Sequence, residues 1–190
     1  MKFIIFFLII GFSYQSYSFE TNIVCADFDA CDFKSSESAI EFESESTKLG
    51  FITTTFSGRA LKFTISGKLN QSKVENVEVM IPVGGLSTDL SGRDDKMWTE
   101  ILNYKEYPKM VITFDSIEHG YSGLVKAMIT IQGKKYPLEE VSLQTSYENN
   151  ALKVEGRGSF SLKELALPDP SIAIAKVRDR FDFKFKALIK

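Results

Sequence analysis

The chain has 190 residues, a formal net charge of −2 and one histidine, which is the length of a single domain with room for a real core. That charge favours neither nucleic acid nor an anionic membrane surface as a partner. Sixteen phenylalanines against five prolines suit a β-rich globular domain.

The opening "MKFIIFFLIIGF" has a basic start at Lys2 and an apolar run from Phe3 to Phe12, and polar "SYQSYS" follows. With Ser16 and Ser18 at the small-residue positions, the pattern predicts an export signal over residues 1–18, cut after Ser18. An apolar run of about 10 residues is too short to span a bilayer, which takes about 20. The mature chain is therefore expected to be soluble, exported and not membrane-spanning. Cys25 and Cys31 follow in "CADFDAC", within an N-terminal segment over residues 19–36. In an oxidising compartment a disulfide staple is expected, with free thiols as the alternative. The spacing is not C-x-x-C, so a redox pair or zinc half-site is disfavoured.

Residues 37–190 read as one β domain. "SAIEFESES" alternates Ile40 and Phe42 against glutamates, and "ITTTFSG" and "ALKFTISG" continue the period of two and end at Gly58 and Gly67, where turns are expected. "SKVENVEVMIPV" puts Val77, Val79, Ile81 and Val83 on one face. The pattern then changes. Ser91 and Asp94 have the spacing of a capping box, and Met97, Trp98, Ile101 and Leu102 share a helical face, which predicts a short helix from about Gly92 to Leu102. It must stop before "EYP", because Pro108 pushes Tyr107 to an extended conformation. "MVITFDSI", "LVKAMITIQG", "VSLQTSY" and "ALKVEGRGSFSL" read as further strands, the last two joined by an "ENN" turn. A second short helix or an irregular crossover, "DPSIAIAKV", precedes "RFDFKFKAL", where Phe181, Phe183 and Phe185 alternate with charged residues. The expected fold is all-β: an antiparallel barrel of about eight strands with one or two short helices.

Catalytic chemistry finds little support. His119 stands in "EHGYSG", which lacks the spacing of a nucleophile elbow and reads as a hairpin turn. Asp94 and Asp95 open the helix, where carboxylates are favoured without any acid/base role. No metal-ligand spacing, cofactor motif or phosphate loop is present. What stands out is a set of inward-facing apolar residues: Phe42, Phe56, Phe63, Phe114 and Phe160, with Ile81, Ile129 and Val154. These form either a packed core or the lining of a cavity. An apolar void of roughly 300 Å³ or more favours the cavity.

The stretch "STDLSGRDDKMWTEILNYKEYPKMVITFDSI", followed by "GLVKAMITIQGKKYPLEEVSL", resembles the YceI family of exported lipocalin-like proteins. The matching positions are Asp89, Arg93, Asp94, Leu102, Tyr107, Pro108, Phe114, Thr130, Ile131 and Gly133. Where family members carry histidines near the first strand, this chain has Glu37 before Ser38, and Ser44 or Ser46. The resemblance implies a lipocalin-like barrel, in the periplasm or outside the cell, that binds a long-chain isoprenoid, fatty acid or quinone-like lipid without turning it over. The helix is then expected to cap one mouth, with Trp98, Ile101 and Leu102 toward the cavity and the acidic cap in water. Tyr104 and Tyr107 would offer polar tips at the rim. A barrel filled by its own side chains is the alternative. Oligomeric state, a homodimer included, is left open.

Overall fold

The computed structural model describes residues 16–70, 73–148 and 151–189. Most of the expected export signal, residues 1–15, and the Asn149 and Asn150 turn lie outside the described residues.

Among the described residues, twelve strands form one antiparallel sheet. They are β1 (Tyr17–Val24), β2 (Ala39–Lys48), β3 (Ile52–Ala60), β4 (Lys62–Asn70), β5 (Lys73–Pro82), β6 (Leu86–Ser87), β7 (Lys109–Glu118), β8 (Ser122–Ile131), β9 (Lys134–Glu148), β10 (Ala151–Ser161), β11 (Ala175–Val177) and β12 (Arg180–Ile189). One helix, α1 (Ser91–Lys96), runs into a wider π turn over Met97–Ile101. The count exceeds the expected eight because β1, β6 and β11 are additions and because one wall strand bends. β3 and β4 are separated only by Leu61, whose N–H donates to the Gly85 carbonyl (2.7 Å) and whose carbonyl accepts from the Cys25 N–H (2.9 Å). With β3 and β4 taken as one bent strand, the pairing returns on itself. The circuit is β2, β3–β4, β5, β7, β8, β9, β10, β12 and back to β2.

The same registers explain the N-terminal segment. β2 pairs with β3 from Glu41↔Arg59 to Lys48↔Ile52, and β1 pairs with β4 from Val24↔Lys62 to Tyr17↔Leu69. β1 and β2 thus follow one another along a single edge of the bent strand, and the chain between them loops out at the corner. Cys25 and Cys31 are bonded across that loop, with Cys31 fully buried. Arg59 holds the loop against the wall: it reaches Asp32 (3.0 Å), Glu41 (3.3 Å) and the Phe28 carbonyl (2.7 Å), and its guanidinium lies 4.0 Å from the Phe28 ring centre. Tyr17 and Ser18 belong to β1, so a cut after Ser18 leaves Phe19 to Val24 as the part that pairs with β4.

Two glycines expected at turns lie inside strands. Gly58 pairs across from Phe42 and Gly67 from Phe19, and the same arrangement recurs with Gly156 opposite Phe185 and Gly158 opposite Phe183. At Gly58 and Gly156 a Cβ atom would overlap the facing ring. The sequence cue for a break is here a seat for an aromatic ring, a known device for curving a sheet.

The core fills the barrel at the end where β4 turns into β5 and β7 into β8. Val77, Phe114, Val141, Leu143 and Val154 are buried there, and Phe63 is buried at the start of β4 beside the Leu61 corner. The other end carries α1, the β2–β3 hairpin, and the connection from β10 to β12. That connection holds turns, an isolated Ile172↔Ala175 bridge and β11, so the second helix considered for "DPSIAIAKV" is not formed.

Replacing Gly156 with Val should clash with both the Phe185 ring and the Ser142 carbonyl and destabilise the fold by about 1–3 kcal/mol, read by urea denaturation. Breaking the disulfide with Cys25→Ser should lower stability by about 2 kcal/mol at most, because the bridged loop is short. Non-reducing peptide mapping should recover no alkylatable thiol from the oxidised protein.

Candidate functional site

A cavity of about 330 Å³ occupies the helix end of the barrel. Its volume meets the criterion that separates a lined void from a packed core. Phe42 and Ile40 enter from β2, Phe56 from β3, Ile81 from β5, Ile129 and Ile131 from β8, Phe160 from β10, and Phe181 and Phe183 from β12. Alternation puts each of these on the inner face. Phe42, Phe56, Phe160 and Phe183 stay only half-buried although they point inward, because the cavity is what they face. Phe181 is the hub of the aromatic wall: its ring stacks on Phe160 at 5.6 Å between centroids and meets Phe56 edge-on at 6.1 Å.

Of the expected site residues, Phe42, Phe56, Ile81, Ile101, Leu102, Ile129 and Phe160 share this wall. Phe114 and Val154 are buried in the packed end instead, with the Phe114 ring 6.0 Å from that of Phe185, and Phe63 is buried at the start of β4. Trp98 is not on the wall, since its indole Nε1 donates to the Leu86 carbonyl (2.9 Å) and the ring is held against that strand. Tyr104 is exposed, and Tyr107 packs over Gly133 at the β8–β9 turn. A hydrogen bond with Glu106 raises the Tyr107 phenol above its ordinary value.

The start of the helix also differs from expectation. Asp94 is buried rather than solvated: it accepts from the Thr88 N–H (2.7 Å), the Thr88 hydroxyl (2.5 Å) and the Ser87 hydroxyl (2.8 Å). No side chain caps α1, so Ser91 and Asp94 do not form a capping box. The carboxylate instead turns back to Ser87 of β6 and to Thr88 just after it, whose hydroxyls and amide satisfy it better than the first helical turn would. Arg93 donates to the Thr88 hydroxyl and carbonyl (both 2.8 Å) and lies 4.8 Å from the Phe56 ring centre, on the cavity wall. Burial pulls its guanidinium below the ordinary arginine value, with the Asp94 charge opposing.

Sequence reasoning passed over several wall residues. Phe181 and Phe183 were visible in the alternation of the last strand. Arg93, Lys96 and Met97 sit at helical spacing around the expected helix. Leu162, Leu165, Leu167 and Pro170 come from the β10–β12 connection, whose irregular backbone gave no period to read. That connection is held at its ends by Asp179, which takes the Ser161 hydroxyl (2.5 Å) and the Lys163 N–H (3.0 Å). In its middle the Ser171 N–H donates to Asp169 (2.8 Å), and the Ser171 hydroxyl accepts from Val177 N–H (2.9 Å).

Polar groups on the wall are few: Ser46, Thr88, Arg93 and Lys96. Ser44, the other serine considered beside Ser46, is buried and donates to the Arg180 carbonyl (2.8 Å), tying β2 to β12. A second depression of about 570 Å³ is lined mainly by outward charged residues, among them Glu43, Glu140, Arg157, Arg180 and Asp182. Arg180 pairs there with Asp182 (3.0 Å) and Lys184 with Glu41 (2.8 Å), beside the exposed Leu124. His119 lies exposed in the β7–β8 turn beside the Tyr147 ring (5.6 Å). Among the described residues no group of three His, Cys, Asp or Glu side chains could hold a metal ion, and no helix is long and apolar enough to cross a membrane.

Two predictions follow from this geometry. Asp94→Ala should leave the buried Thr88 and half-buried Ser87 donors without an acceptor and cost about 2–4 kcal/mol by chemical denaturation. Hydrogen bonds from Ser171, first its side chain and then its backbone, hold the Asp169 carboxyl below 3.8. Its contribution is thus complete above that pH and is lost as pH falls through the lowered value. Amide protection factors in residues 169–176, with the intrinsic pH dependence of exchange divided out, should fall in acid before those of the strands do.

The sequence profile of the YceI-like domain family matches residues 32–188. No curated protein matches the chain. Among solved structures, Burkholderia cenocepacia BcnA superposes with a TM-score of 0.61 at 14% identity, covering 80% of this chain and 96% of that one. A polyisoprenoid binding domain from Saccharophagus degradans, implicated in plant cell wall breakdown, gives 0.60 at 12% identity, covering 81% and 98%. At these identities the likeness is one of fold.

Proposed function

The chain belongs to the YceI-like domain family, and from that footing we propose that it is an exported binding protein for a long-chain apolar or amphiphilic lipid. Polyisoprenoids, fatty acids and quinone-like molecules form the ligand class. The observation that carries the reading is the cavity of about 330 Å³ walled by aromatic and aliphatic side chains, with four polar residues gathered toward the helix and hairpin end. Such a site binds by removing apolar surface from water. Each buried methylene contributes about 0.8 kcal/mol, so about ten of them supply about 8 kcal/mol before the costs of association. A polyisoprenoid binding domain of the same fold supports the choice of ligand class. The void speaks against a barrel filled by its own side chains.

The reading assigns no catalytic group. It has a ligand held by volume and shape, with Arg93, Lys96 and Thr88 facing whatever polar end the lipid carries. Export agrees with the signal read at the start of the sequence and with the bonded cysteines.

Lipid extraction from the purified protein, followed by native mass spectrometry of the loaded and stripped forms, tests the reading. A stripped protein that takes up no long-chain lipid overturns it. Ile129→Trp should fill the cavity and weaken binding at least tenfold while the barrel still folds, at a cost of about 1–3 kcal/mol in stability. His119→Ala should leave affinity unchanged, and binding should stay flat between about pH 6 and 8, where a histidine switch would act. Isothermal titration of both variants across that range checks all three expectations.

A further inference from the structure

The helix end of the barrel carries apolar side chains that no packing requirement explains. On the β2–β3 hairpin Leu49 is 66% exposed, Phe51 77% and Ile52 45%, and on the neighbouring loop Ile172 is 52% and Ile174 65% exposed. The two segments are joined, because the Leu49 N–H donates to the Ile174 carbonyl (3.0 Å) and Ala175 pairs with Lys48. Singly exposed apolar residues are ordinary, but a contiguous group marks an interaction site. Leu49 also holds a φ of 52°, a conformation that side-chain-bearing residues rarely adopt, and Gly50 beside it a φ of 81°, so both central residues of the tight turn lie in the left-handed region. A strained backbone thus keeps a leucine on the outermost point of the hairpin.

The patch is continuous with the cavity: Ile172 and Ala175 line the void, as does Ser46 of the adjoining strand. Its flanks are basic. Lys48 and Lys176 are exposed on paired segments and form no ion pair among the described residues, whereas the nearby Arg178 is neutralised by Glu45 (3.6 Å). On the two rim segments themselves, residues 45–49 and 169–178, Lys48, Lys176 and Arg178 outnumber Glu45 and Asp169, although the whole chain is negative.

We propose that the hairpin tip and the 172–176 loop form a membrane-docking rim that inserts Leu49, Phe51 and Ile174 into an anionic lipid surface, so that cargo passes between bilayer and cavity without crossing water. This rests on the cavity being a lipid site. The side chains project from two adjacent tips instead of lining a groove or a flat face. Shallow insertion of apolar tips with lysines at headgroup level is the geometry of an interfacial anchor. Each lysine near an anionic surface adds a modest attraction that fades within a Debye length, so the apolar tips supply most of the affinity.

The test is sedimentation of the purified protein with vesicles of phosphatidylethanolamine and phosphatidylglycerol, and with vesicles of phosphatidylcholine alone. It is paired with uptake of a fluorescent polyene fatty acid delivered either in those vesicles or as monomers in solution. The parent should co-sediment with the anionic vesicles and less with phosphatidylcholine. Leu49→Ser with Phe51→Ser should reduce partitioning about tenfold or more and slow loading from vesicles, while uptake from monomeric solution stays at the parent level and shows that the barrel is folded. Lys48→Glu with Lys176→Glu should abolish the preference for anionic vesicles. A parent that stays in the supernatant, as it would if the tips served a second protein, overturns the proposal, and so does a double serine variant that partitions like the parent. Failure of the parent to take up the monomeric fatty acid would overturn the cavity reading instead, whatever the vesicles show.

Discussion

Phenylalanine laid across glycine is the contact on which the cavity depends. Phe42 lies over Gly58 and Phe183 over Gly158, each pair directly across the ladder. Without a Cβ on the partner, the ring can lie down along the wall instead of standing into the lumen. An eight-position barrel is just wide enough for side chains to fill it or for one ligand to occupy it. Which outcome prevails depends on how far the largest side chains reach. At the helix end the flattened rings leave space. At the other end Phe185 lies over Gly156 but meets Phe114 at 6.0 Å between centroids, with Val154 buried nearby, and the lumen closes. The same device therefore lines a void in one half and completes a core in the other.

A wall curved in this way must still close, and closure is concentrated at Leu61. Its N–H and carbonyl bond to opposite sides, to Gly85 and to Cys25, at the point where β3 becomes β4. The loop bearing the disulfide leaves at this corner, so the staple and the bend stabilise one another. Arg59 completes the arrangement from a side chain only 13% exposed. Glu41, equally sheltered, serves three donors: Arg59 (3.3 Å), Lys184 (2.8 Å) and the Phe33 N–H (2.7 Å). A shared, hydrogen-bonded network of this kind holds better than separate surface pairs, whose contribution is near zero to 1 kcal/mol each.

Strand alternation was legible almost everywhere, because a period of two with one buried face leaves little freedom of register. Val77, Val79 and Ile81 are buried as that pattern requires. The places where local rules fail are the places where tertiary contacts outbid them. Gly58 and Gly67 look like turns until the facing phenylalanine is known. Asp94 looks like a cap until Thr88 and Ser87 are found within its reach. Met97, Trp98, Ile101 and Leu102 share a face by spacing, but the indole N–H needs a buried acceptor and finds it on Leu86, which draws Trp98 off the cavity wall. Residues 162–172 carry no period at all, so their part in the wall could only come from the fold.

The two sides of the cavity's open end are held with unequal firmness. The helix side is tied by the three bonds into Asp94, the two from Arg93 to Thr88, the Trp98 bond to Leu86, and the Gln132 side chain donating to the Ile101 carbonyl (2.9 Å). Several of these are buried or half-buried, where an unpaired group would be costly. Across the mouth, the middle of the β10–β12 connection leans on exposed or partly exposed bonds around Asp169 and Ser171, on the Lys96 ammonium donating to the Pro170 carbonyl (3.1 Å), and on the short β11 ladder. Segments with few buried contacts and exposed hydrogen bonds open at the lowest free energy. The loop side is therefore where the entrance can widen, while the helix keeps Arg93 and Phe56 in fixed relation and preserves the shape of the wall.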